Sequence, residues 1–531
     1  MPSEYISYRN TRYFSPLICD YLDKKEQLTP FYHRSPSLDN FEAQLEEKRA
    51  SFSKETRNVL TSVLKKQYAS LSPSDLVVSN IESLNDSETF TITTGHQLNL
   101  FTGPLYFLYK IIHTITLSRK LNQQHPNQHF VPIYWMATED HDFDEINYFR
   151  YKGKKVQWNR KASGAVGELD TSGLSEVLAL FKTELGTSKN AEYLATLFEE
   201  AYLKHNTLVE ATRYLANELF GEYGLVIVDG NDADLKREFI PFVKRELEEQ
   251  IAHKKVTEQT TKLVDAGYKE QVHPREINLF YIKEGLRERI IQEEDSYRVN
   301  DTEILFTKEN ILTELEEHPE RFSPNALLRP LFQEVILPNL CYIGGGGELA
   351  YWFQLKTCFK EVGIPFPILM LRNSALLRTK KQAQKAENLG ISTQQLFEKQ
   401  EGLVNQQIRR ISHINIDFSE QRAFLKKQFE AMHAIAKETD VSFVGAVKAQ
   451  EVKQLKGLDN LESRLLRAQK YKLKDEVERL VNLQDASFPL QSLQERNTNF
   501  AEFYLEYGTT LIPMILESLD PENHEFTVIT I

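Results

Sequence analysis

Five times between residues 89 and 374, a short run of β-branched and aromatic residues ends in a chemically unusual turn. TFTITT (89–94) leads into Gly95, His96 and Gln97, and FVPIYWMA (130–137) into TEDHDFDE. GLVIV (224–228) leads into Asp229, Gly230, Asn231 and Asp232, and Cys341–Ile343 into four glycines. PFPILML (365–371) leads into Arg372, Asn373 and Ser374. Amphipathic stretches such as Leu105–Leu121 and Ala191–Leu219 lie between them. Strand, polar turn and helix in repetition predict an α/β fold with a doubly wound parallel sheet. In such sheets ligands bind outside the carboxyl ends of the strands, so the turns are the places to look for chemistry.

The second turn stands out most. Residues 139–145 hold five carboxylates and one imidazole in seven positions. Like charges this close repel and raise one another's pKa, so a cation or a catalytic need must offset them. The bulk composition bounds what that need is. Lys+Arg 64 against Asp+Glu 76 leaves a net charge of −12, which excludes a general nucleic-acid binder with a basic face. No apolar run approaches the roughly 20 residues of a membrane span, and no basic-then-apolar leader is present. Cys19, Cys341 and Cys358 are far apart and form no CxxC pair, so neither a disulfide framework nor a structural zinc site is expected. A cytoplasmic location is the simplest expectation.

At 531 residues the chain needs more than one core. Residues 1–375 read as the α/β core, preceded by a helical, polar region up to about residue 85. Residues 376–484 change texture. Leu455, Leu458, Leu461 and Leu465, then Leu473, Val477 and Leu480, carry a helical stripe that suits a coiled-coil hairpin. Gly390 and the stretch 411–419 are expected breaks, and Pro489 ends the helical texture. Residues 485–531 read as a segment returning to the core.

Each turn has a functional and a bland reading. His96 suits a general base or an anion partner, and equally a histidine that hydrogen-bonds in a turn. The acidic cluster suits an ammonium group or a metal, or it caps the next helix from solvent. No second ligand cluster accompanies it, so no metal is assigned. Counting from Gly345, the glycines fit GxGxxA, but four glycines fit many patterns. They open a helix whose N–H groups suit an anion, although Glu348 would repel one. The bland alternative is a tight turn for close helix packing. Arg275 and Asn278 in HPREINLFYI, Asn325, Arg329 and Arg372 suggest a shared anion site, or separate surface ion pairs. Cys341 reads as a small buried hydrophobe.

Taken in order, TTGHQLNLFTGPLYFLYKI, VPIYWMATEDHDFDEIN, FSPNALLRPLFQEVILPNLCYIGGGGELAYWFQLK, PFPILMLRNS and SLQERNTNFAEFY resemble the bacillithiol-biosynthesis cysteine-adding family, BshC, over essentially the whole chain. The one departure is the run of four glycines, where GGPGE is expected in many relatives. The resemblance implies a Rossmann-like core with an α-helical coiled-coil domain, and a homodimer. It also implies a ligase that forms the amide between cysteine and glucosaminyl-malate in the last step of bacillithiol assembly. On that reading His96, Asp140, His141, Asp142 and Asp144 are the catalytic candidates. Gly95, Gln97, Thr102, Lys110, Arg275, Asn278, Asn325, Arg329, Gly345, Gly346, Gly347, Arg372 and Asn373 are the substrate-binding candidates. The activating cofactor stays open, with ATP and Mg²⁺ the candidate. Two other readings stand beside it: a nucleotidyltransferase-like enzyme on another anionic small molecule, and a non-catalytic coiled-coil dimer that binds a metabolite or partner.

Overall fold

Five parallel strands form the centre of the computed structural model, which describes residues 3–531. They are β1 (Thr89–His96), β2 (His129–Met136), β3 (Val226–Asp229), β4 (Asn339–Gly344) and β5 (Ile368–Leu371). Each follows from one of the five apolar runs. Their order across the sheet is β5-β4-β1-β2-β3, with every neighbour parallel. The chain therefore winds outward from β1 to β3, then returns to β4 on the other side of β1. That reversal leaves a crevice outside the carboxyl ends of β1 and β4. It falls where β1 ends in Gly95 and His96 and β4 ends in Gly344. Every residue of β1 and β4 is buried, as expected for a parallel sheet covered on both faces. Phe90, Ile92, Phe130, Cys341, Ile343, Ile368 and Met370 pack together with Leu117 and Leu121 from the helix α1 (Tyr106–Gln124).

The turn between β1 and α1 is tightly specified. Phe101 and Thr102 take positive φ, and so does Gly103. A Cβ on Gly103 would lie 2.7 Å from the Cβ of Asn99, so only glycine fits. Asn499 donates its side-chain amide to the carbonyls of Phe101 (2.8 Å) and Gly103 (2.6 Å).

Several elements depart from the expectations. Ser3–Ser7 is a strand, not part of a helical region, and pairs antiparallel with Glu525–Thr530. Ala375–Arg378 is the third strand of that sheet. Ala191–Leu219 is two helices, Lys189–Leu203 and Leu208–Phe220, because Thr207 and Glu210 form a capping box that restarts the helix. A five-stranded antiparallel sheet over Leu279–Pro324 was not expected at all. Two-residue turns at Glu284-Gly285 and Glu294-Asp295 build its hairpins, with Gly285 and Glu294 at positive φ.

The chain divides into two compact units: residues up to Leu377 with Gln494–Ile529, and Arg378–Leu493 with Thr530 and Ile531. The second unit is helical. Gly390, at positive φ, follows the helix Lys380–Asn388, and the loop after Ile411 separates Gln400–Ile411 from the next helix. A long hairpin follows, comprising a helix over Ser419–Ala436 and one over Val441–Lys472, with Asp440 capping the second. Phe429, Ala436 and Val447 form its small core, flanked by Leu425 and Val444. Leu455, Leu458 and Leu465 are only half-buried, and Leu461 is exposed. Among the described residues no helix is long and apolar enough to cross a membrane. The three cysteines are free and buried.

Candidate active site

The crevice between β1 and β4 holds a cavity of about 330 Å³, within the size range of small-molecule sites. Its lining combines the end of β1 (Gly95, His96, Gln97), α1 (Tyr106, Lys110) and the glycine turn with Glu348. Arg329, Tyr342, Tyr351, Arg372 and Arg496 complete the polar wall, with Trp135 and Ala137 beside them.

Glu348 organises this wall. It lies on the short helix α2 (Gly346–Trp352), three residues after Gly345. Its carboxylate accepts from the backbone N–H of Gly345 (2.7 Å) and from the hydroxyl of Tyr342 (2.9 Å), and pairs with Lys110 Nζ (2.5 Å). Lys110 also donates to the carbonyl of Gly95 (2.7 Å), so one buried ammonium joins the ends of β1 and β4. Burial works against ionisation of Glu348, but Lys110, the Gly345 N–H and Tyr342 outweigh it and hold the carboxyl below its ordinary range. The expectation that Glu348 would repel an anion is therefore met by a local counterion. Gly95 is also a requirement of packing, since a Cβ there would lie 3.1 Å from the Tyr342 oxygen.

Two buried polar atoms at the cavity have no partner. Arg372 is 4% exposed. Its guanidinium donates to Glu495 (2.7 Å), the Asn373 carbonyl (3.0 Å) and Ser374 Oγ (3.0 Å), but Nε remains unpaired. That nitrogen lies 3.8 Å from where a Cβ on Gly345 would be, so it faces the glycine turn. His96 is 7% exposed, and its Nε2 is likewise unpaired. Burial, with Lys110 and Arg372 nearby, pushes the His96 pKa well below its ordinary value. The imidazole is therefore neutral at pH 7, with its Nε2 left without a partner. Arg329 stacks over Tyr342 and donates to Gln333 (3.1 Å) and the Tyr351 hydroxyl (3.3 Å).

The acidic cluster sits next to this cavity and contributes none of its lining. Its charges are met partly by cations and partly by backbone and amide donors. Glu139 forms a buried pair with Lys236. His141 Nδ1 accepts from Arg287 (2.5 Å), because a guanidinium only donates. Asp142 caps the helix Phe143–Ile146, and Asp144 accepts from Asn147 (3.4 Å). Asp140 and Glu145 reach toward the cavity, both accepting from Gln97 Nε2 (2.9 and 2.8 Å). Among the described residues no group of three or more His, Cys, Asp or Glu side chains is arranged to hold a metal ion.

The remaining expected site residues are placed elsewhere. Asn278 accepts from Arg275 N (3.1 Å) and donates to Glu246 (2.9 Å), and Asn325 donates to Asn278 (3.0 Å), forming a turn network outside the cavity. Thr102 belongs to the left-handed turn before α1, and Asn373 donates to the carbonyl of Asp520 (2.9 Å). Tyr106, Tyr342, Glu348, Tyr351 and Arg496 line the cavity without having been singled out as binding groups. Only Glu348 left a local signal, a carboxylate at the third helical position after a capping residue.

Residues 1–373 match the N-terminal Rossmann-like domain of bacillithiol-biosynthesis BshC, and residues 375–531 match its C-terminal coiled-coil domain. A protein of Christiangramia forsetii is 57% identical across all of this chain and 99% of its own length, and one of Flavobacterium johnsoniae is 57% identical across the whole of both. A Flavobacterium psychrophilum protein is 54% identical over all of this chain and 99% of its own. Each of the three bears the name "Putative cysteine ligase BshC".

Proposed function

Because the chain belongs to the BshC family of bacillithiol biosynthesis, we propose that it is a ligase joining the carboxyl of cysteine to the amine of glucosaminyl-malate. The observation that carries this reading is a neutral, unpaired His96 in a cavity lined by Lys110, Arg329, Arg372 and Arg496. Amide formation sets two tasks. In water the amine is largely protonated and the carboxylate is a poor electrophile. A cationic wall disfavours the ammonium form, so the amine binds in its neutral, nucleophilic state. His96 then takes the proton released as the C–N bond forms, once the bound anionic substrate offsets the Lys110 and Arg372 charges that help hold its pKa down. The arginines pair with the carboxylates of malate or cysteine. ATP with Mg²⁺ would supply the leaving group for the carboxyl, and the same arginines have the chemistry to hold its phosphates.

Asp140 acts in this scheme as a positioning residue through Gln97, and His141, Asp142 and Asp144 support the loop that carries it. The exposed Phe424 and Leu461 of the helical hairpin support a homodimer formed along that face. We place the reaction in the cytoplasm, where three unpaired cysteines are at home.

The test is a mass-spectrometric assay of the purified chain with cysteine and glucosaminyl-malate, with and without Mg-ATP. Product is expected with ATP. His96→Ala should cut turnover at least about 100-fold with an unchanged circular dichroism spectrum. Asp140→Asn should cost about tenfold, the order expected for a neighbour that orients a binding group. No product under either condition would refute the substrate assignment, and wild-type turnover in His96→Ala would refute the base.

A further inference from the structure

The cavity presents far more donors than acceptors. Lys110, Arg329, Arg372 and Arg496 all donate, and Glu348 is the single carboxylate in the lining. A carboxylate offers about four lone-pair positions. Lys110, Gly345 N–H and Tyr342 hydroxyl take three of them. One is left over, and the side chain is 28% exposed at the cavity. Tyr342 is arranged to match. Its proton is committed to Glu348, which leaves the oxygen's own lone pairs unused, and the oxygen stands in the cavity wall packed against Gly95, where a Cβ would come within 3.1 Å of it. The cluster Asp140, Asp142 and Asp144, which composition alone favours for an amine, lies outside the lining.

We propose that Glu348 and the Tyr342 oxygen are the acceptors that read the amine of the substrate, opposite an arginine wall that reads its anionic end. This rests on the ligase reading and adds to it the residues that select an amine-bearing acid. Acceptor geometry excludes an acylated nitrogen on two grounds. An amide nitrogen has one N–H to give where an amine has two, and its acyl group adds bulk against the wall made by Tyr342 and Gly95. Lys110 serves as a positioning residue, because it holds Glu348 against the end of β1.

The experiment is equilibrium binding by calorimetry, using the full chain with glucosaminyl-malate and with its N-acetylated form. Wild type should prefer the free amine by at least tenfold. Glu348→Gln should lower that preference to within about twofold while binding of the N-acetylated form stays within threefold. Glu348→Asp, which keeps the charge, should retain part of the preference. Tyr342→Phe provides the second variant should Glu348→Gln fail to fold, and is expected to reduce the preference about threefold. An undiminished preference in Glu348→Gln, or in Tyr342→Phe if that is the variant that folds, would overturn the proposal while leaving the ligase reading intact. Equal affinity of wild type for the two compounds would also overturn it. Failure of wild type to bind either compound would overturn the ligase reading, and this assignment with it.

Discussion

Among single residues, the buried histidines make the clearest claim about solution behaviour. His113 accepts from the backbone of Asn373 (3.0 Å) and is pushed down to about 3, first by burial and then by the nearby His524. Its folded value lies below the unfolded value near 6.5, so the folded chain binds fewer protons there. The stability it contributes is whole above about pH 6.5 and is lost as pH falls toward about 3, at roughly 1.4 kcal/mol per pH unit. Urea unfolding at pH 6.5 and pH 4.5 should therefore show a shallower loss in His113→Asn than in wild type, by about 2 kcal/mol. Not every residue announced its work this clearly. Gly95, His96, Gln97, the three glycines and Arg372 line the cavity as turns at strand ends of a parallel sheet would, while Lys110 and Arg329 reach it from helices. Arg275, Asn278 and Asn325 looked the same in sequence, yet they tie one turn together. Asparagine satisfies backbone groups with the same amide that would hold a ligand, and sequence does not separate the two uses.

At the level of elements, the central strands were easy to read because strands buried on both faces are continuous apolar runs. The antiparallel sheet was not. Its longest strand, LRERIIQE, is half polar, and its turns use Glu-Gly and Glu-Asp where Asn-Gly is the stronger signal. The helical hairpin was read correctly as a coiled coil, with part of its apolar stripe facing outward. Leu461 and Phe424 are 53% and 67% exposed, and Arg422 bridges the two helices to Asp459 (2.8 Å) and Glu462 (2.5 Å). Exposed pairs of this kind are worth little, so it is the exposed apolar face that the proposed homodimer would bury. Sedimentation of the wild type should give a dimer. Phe424→Glu with Leu461→Glu should give a monomer with unchanged helical content; a dimer in that variant would place the contact elsewhere.

Over the whole molecule, distant segments hold the site. Glu495 anchors Arg372, and Asn499 fixes the turn before α1, although both lie more than 120 residues from their nearest partner among these. The late motif SLQERNTNFAEFY thus belongs to the architecture of the cavity as much as GHQ does. The same segment leads to Glu525–Thr530, the middle strand of a sheet whose outer strands are Ser3–Ser7 and Ala375–Arg378. Removing residues 525–531 should leave both outer strands unpaired and lower the urea midpoint sharply or render the chain insoluble, as read from soluble yield and denaturant titration. The pairing of Ser3 with Ile529 has a temporal side as well. A ribosome adds about 5–20 residues per second, so the first strand to emerge waits roughly half a minute to two minutes for its partner. Through that interval Ser3–Ser7 is an open edge, and this sheet cannot close until the strand Glu525–Thr530 has been made.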